Sequence, residues 1–78
     1  MTRAVWVIWS FEHDAWWAPG ECGYVLDLAD AGRYTETRAR EIEARANIVH
    51  HHEWALPFEG AQHNVDMLKD AIRRRRPS

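Results

Sequence analysis

The sequence predicts a small α+β domain of order β-β-α-β-α, with a short antiparallel sheet packed on one main helix. Three observations carry that expectation. Val5-Trp6-Val7-Ile8-Trp9 is an unbroken β-branched and aromatic run, the residue types that suit a buried, pleated strand. Ala39, Ile42 and Ala46 recur at helical spacing through residues 36–47, and Val65, Leu68 and Ile72 repeat that pattern near the C-terminus. Between the two stripes lies an extended segment, Glu53–Leu56. At 78 residues the chain is one domain, 1–78, with room for a single core.

The elements follow in order. The first strand is apolar on both faces, with Val5, Val7 and Trp9 on one side and Trp6 and Ile8 on the other. Such a strand is central and covered twice. In so short a chain the second cover falls to the Trp-rich segment or to another protein, which makes a homodimer one expected outcome. Residues 11–24, FEHDAWWAPGECGY, read as a loop around a Pro19-Gly20 turn. Gly23–Leu26 adds a short extended piece, and Gly32–Tyr34 a second strand entering the helix. Thr35 is the N-cap, Glu36 suits the helix dipole, and Glu36–Arg40 and Glu41–Arg45 pair on the exposed side. Asn47 is a stop. Pro57 marks its strand as an edge or an end. Asn64 is expected to cap the last helix, and residues 73–78 to form a basic, disordered tail.

Charge divides the chain. Residues 1–68 hold five arginines against eleven carboxylates, whereas residues 69–78 hold Lys69 and Arg73 to Arg76 against Asp70 alone. The body is acidic and the tail basic. A single cysteine, Cys22, excludes an internal disulfide and points to a reducing cytoplasm. The apolar run Ala4–Trp9 is far shorter than the roughly 20 residues that span a bilayer.

Four chemistries compete. His50-His51-His52, with His13 and His63, suggest a metal, but the spacing of structural zinc sites is missing and a solvated run explains them better. Cys22 with His13 and Asp14 suggests a thiol nucleophile, yet nothing marks an oxyanion hole or an enclosed cleft. No catalytic residue, metal or cofactor is therefore expected. Arg73 to Arg76 could meet phosphates, giving a small nucleic-acid-associated regulatory protein that uses its basic C-terminal tail as the alternative function. An acidic body argues against that, and a cationic helix end is favourable in its own right. The fourth chemistry is recognition of a protein. Trp16 and Trp17 sit among Glu12, Asp14, Glu21, Asp27 and Asp30, and indoles grip interfaces while carboxylates steer a basic partner. These seven residues are the expected partner-binding set, with one indole buried at home and the other available.

The strings Trp9-Ser10-Phe11-Glu12-His13, Trp16-Trp17, Cys22-Gly23-Tyr24 and Asp27-Leu28-Ala29-Asp30-Ala31-Gly32-Arg33-Tyr34-Thr35 resemble a pattern in small phage and prophage proteins. The likeness covers residues 5 to about 57 and ends its helix on Ala46-Asn47. Size and acidity also resemble anti-CRISPR proteins, inhibitors of type I-C systems. That resemblance implies a non-enzymatic protein that binds the crRNA-guided surveillance complex Cascade in the cytoplasm of an infected bacterium and blocks target DNA. It carries over no residue role.

Overall fold

The computed structural model describes residues 5–48 and 52–75. The chain order is β1 (Trp6–Ser10), β2 (Ala15–Trp17), β3 (Tyr24–Val25), α1 (Glu36–Ala46), β4 (Glu53–Pro57) and α2 (Ala61–Arg75). Four antiparallel strands form one sheet in the order β3-β2-β1-β4. The α+β single domain expected from the sequence is what forms.

The segment that reads as a loop contains a strand. Trp16 pairs with Trp9 and Ala15 with Ser10, so β2 folds straight back on β1. Asp14 makes the reversal possible by taking a φ of 52°, a conformation that Asp tolerates better than most residues. Three residues are too few for alternation to be visible in the sequence. Conversely, the strand expected at Gly32–Tyr34 shrinks to one bridge, in which Trp6 and Tyr34 exchange backbone hydrogen bonds of 2.8 and 2.9 Å.

β1 is central, as its two apolar faces require, and both covers come from this chain. On one face Trp6, Ile8 and Ala55 pack with Ala39 and Ile42 of α1. On the other, Val7, Trp9, Trp16 and Leu56 pack with Ala31 and with Ala61 and Val65 of α2. The sheet thus lies between two helices rather than on one. The two-sided strand that motivated a homodimer is already satisfied internally.

α1 starts as expected, with the Arg38 amide donating to the Thr35 hydroxyl at 3.1 Å. α2 begins at Ala61, one turn before the expected Asn64 cap, and the Asn64 amide donates to the Gly60 carbonyl at 2.9 Å. It also continues through Arg75, so residues 73–75 are helix rather than tail. His50, His51 and Arg76, named above as ligand or phosphate candidates, lie outside the described residues.

β4 is an edge strand, and its outward amides are all accounted for. The Glu53 amide donates to Asn47 Oδ1 at 3.1 Å, and the Ala55 amide to Glu43 Oε2 at 2.7 Å. Pro57 has no amide hydrogen to offer. Glu43 of α1 and Asn47, the residue that ends it, therefore seal the edge with their side chains.

Candidate interaction surface

Register decides which side chains meet. Ser10 pairs with both Ala15 and Glu53, so the β1–β2 turn (residues 11–14) and the start of β4 lie at one end of the sheet. β3 leaves toward that end too, because Val25 pairs with Trp16 and the chain then continues past it. Glu12, Asp14 and Asp27, all exposed, accordingly gather there. The highly exposed Leu26 lies beside Asp27.

Glu21 does not join them. Glu21 sits in a 3-10 turn, Pro19–Glu21, that follows β2 at the opposite end. Its carboxylate bridges Arg38 and, at 2.8 Å, Arg45, tying that turn to α1. Asp30 closes a second 3-10 turn, Leu28–Asp30, on the way back down the sheet.

The two tryptophans separate as alternation demands. Trp16 is completely buried, 4.8 Å from the Trp9 ring centre, and is core rather than contact surface. That removes it from the partner-binding set. Trp17 points to the α1 side and is half-buried, with its Nε1 donating to Glu53 Oε2 at 2.7 Å. Glu53 Oε1 accepts from the fully buried Ser10 hydroxyl at 3.2 Å, and that same oxygen of Ser10 accepts from the His13 amide at 3.1 Å. One carboxylate and one hydroxyl thus fix both the turn and the indole.

Tyr24 is the residue that sequence reasoning missed. It pairs with Trp17 across β2 and β3, exposes 43% of its surface, and sets its ring 6.1 Å from Trp17 at 78°. His13 stacks on it at 3.9 Å and 23°. Burial first, then the charges of Glu53 and Glu12, push the Tyr24 phenol above its usual range. No sequence signal marks Tyr24 unless β2 is recognised, because only that pairing brings it to Trp17.

The outcome is an aromatic patch of Trp17, Tyr24 and His13 bordered by Glu12 and Glu53. Ring faces next to carboxylates attract a guanidinium or ammonium group, through cation–π contact and charge together. Much of the motif around the patch is structural. A Cβ on Gly32 would come within 2.6 Å of the Ala18 carbonyl oxygen and 2.7 Å of Tyr34 Oη. Tyr34 Oη itself donates to Ala18 O at 2.6 Å and accepts from the Glu21 amide at 3.2 Å. Ala31-Gly32-Arg33-Tyr34 therefore closes the hairpin base.

Cys22 is exposed and unbridged. Among the described residues no group of three or more His, Cys, Asp or Glu side chains is placed to hold a metal ion. Among them, too, no helix is long and apolar enough to cross a membrane. No family model, curated protein or solved structure matches this chain.

Proposed function

We propose that this protein works by binding, without catalysis, and that its aromatic–acidic patch occupies a cationic surface on a larger assembly. The observation that carries the reading is the cluster of half-buried Trp17 with exposed Tyr24 and His13, held against Glu12 and Glu53. Such a patch suits lysine or arginine side chains, the groups that line nucleic-acid channels. Asp14 and Asp27 at the same end of the sheet extend the negative field, which speeds encounter with a basic target. The resemblance to type I-C anti-CRISPR proteins supplies the target: the crRNA-guided Cascade complex in the cytoplasm of the infected cell, kept from its DNA. Trp17 and Tyr24 are the anchors, while Glu12, Asp14 and Asp27 steer.

The test is DNA binding by purified Cascade, titrated with this protein. Wild-type protein is expected to suppress it. Tyr24→Ala and Glu12→Lys, both at exposed positions, should each weaken suppression about tenfold or more. Undisturbed DNA binding at saturating protein rejects the target.

A second reading rests on a separate observation. The C-terminal turn of α2 carries Arg73, Arg74 and Arg75, all exposed. This reading makes the chain a nucleic-acid-associated protein. It requires affinity for plain duplex DNA that falls steeply with salt and is lost in an Arg73→Ala/Arg74→Ala/Arg75→Ala variant.

A further inference from the structure

α2 is longer than the sheet it covers. Ala61 and Val65 are buried and Leu68 is half-buried, but Ile72 is 43% exposed and residues 71–75 all face solvent. The overhanging turns stand opposite the β1–β2 turn and leave a cleft of about 340 Å³ lined by Phe11, Asp14, Lys69, Ile72 and Arg73. Phe11 and Ile72 give it an apolar seam. Its two walls have opposite charge, with Asp14 on the turn and Lys69 and Arg73 on the helix. Lys69 is engaged at home, 3.2 Å from Asp14 and 5.1 Å from the centre of the Trp9 ring. Asp14 nevertheless leaves 73% of its side chain in water, and Arg73 makes no ion pair among the described residues.

We infer that this cleft is a self-association surface whose occupant is a second copy of the chain. A two-fold contact sets a patch against its own rotated image, so the patch must complement itself. An apolar seam flanked by one acidic and one basic wall does so. Rotation brings Arg73 of each protomer to Asp14 of the other, twice over, while Ile72 and Phe11 meet across the axis. A partner of uniform charge would face like charge along one wall, which is unfavourable. This surface lies on the α2 side of the sheet and shares Asp14, but none of the three aromatic residues, with the proposed Cascade-binding set; the inference stands whether or not the patch binds Cascade. With five lining residues on each protomer the contact is small beside a stable interface, so the association is weak and depends on concentration.

Sedimentation velocity on the full chain, from about 10 µM to about 1 mM, reads it directly. A monomer–dimer equilibrium is expected, loosened by salt. Ile72→Glu should abolish it, and Arg73→Glu, at an exposed position that leaves the fold intact, should weaken it about tenfold. Asp14→Asn, which removes the charge but keeps a residue type that accepts a positive φ, should weaken it similarly. A strict monomer throughout the range overturns the inference. So does a dimer indifferent to Ile72→Glu and Arg73→Glu. Open-ended growth into larger species overturns it as well, because a two-fold contact closes.

Discussion

The two helices cover opposite faces of the same sheet and are held by different physics. α1 buries Ala39 and Ile42 and adds a polar frame, with Thr35 at its start and Glu43 and Asn47 on β4. Arg38 and Arg45 extend that frame to Glu21. α2 buries Ala61 and Val65 and relies mainly on apolar contact with a tryptophan-rich floor, with one ion pair among the described residues, Lys69 to Asp14, tying it to the β1–β2 turn. Two indole N–H groups on that floor, of Trp9 and Trp16, find no acceptor. An unpaired buried donor costs about 1–3 kcal/mol, so α2 sits on the less satisfied side of the sheet. Polar contacts fix direction, whereas apolar contacts fix only proximity. The helix with the frame is pinned along its length, and the one without it overhangs.

The comparison can be broken from either side. The largest effect is expected from Trp16→Ala, which empties the floor beneath α2 and should cost about 3–5 kcal/mol, enough to leave little folded protein in a urea titration. Ile42→Ala, on the α1 face, should cost about 2–5 kcal/mol by the same measurement. Glu43→Ala then tests the polar frame alone. It strands the Ala55 amide and should lower stability by about 1–3 kcal/mol with no cavity formed. Thr35→Ala should cost about 1 kcal/mol through loss of the cap. Ile72→Ala, at the overhang, should change stability by less than about 0.5 kcal/mol, and amides of residues 71–75 should exchange with deuterium faster than those of α1.

A smaller effect appears in alkali. Burial, as the largest cause, raises the Tyr34 phenol above its ordinary value of 10.0, and the Glu21 charge adds to this, against a lowering by the Glu21 amide hydrogen bond and by Arg38. A tyrosine whose folded pKa is raised adds stability that is complete below the unfolded value and disappears as pH climbs through the folded one. Stability of the wild-type protein should therefore fall above pH 10.0, and Tyr34→Phe should flatten that fall.

Much of this frame was legible in the sequence. Val5–Trp9 announced a central strand, Thr35 and Asn47 bracketed α1, and Pro57 marked an edge, because each signal is local. What escaped was set by partners distant in the chain. β2 is three residues long and exists by virtue of Trp9 and Ser10. Without β2, Tyr24 could not be brought to Trp17, nor Trp16 assigned to the core. Glu21 looked like surface charge until the return of α1 placed two guanidiniums on it. The start of α2 at Ala61 was hidden for the opposite reason, since its first turn lacks a capping side chain to read and Asn64 supplied a false one.

The seal on β4 has an evolutionary consequence. Open sheet margins recruit strangers: an extended peptide can add itself as a further strand, and fibrils can grow from the same place. Two side chains and an imino acid withdraw that invitation on one flank of this molecule, leaving the two-residue β3 as the open margin among the described residues. Among variants of this fold, an acid or amide lost from the last turns of α1 should therefore show up first as insolubility in the test tube, before any loss of recognition.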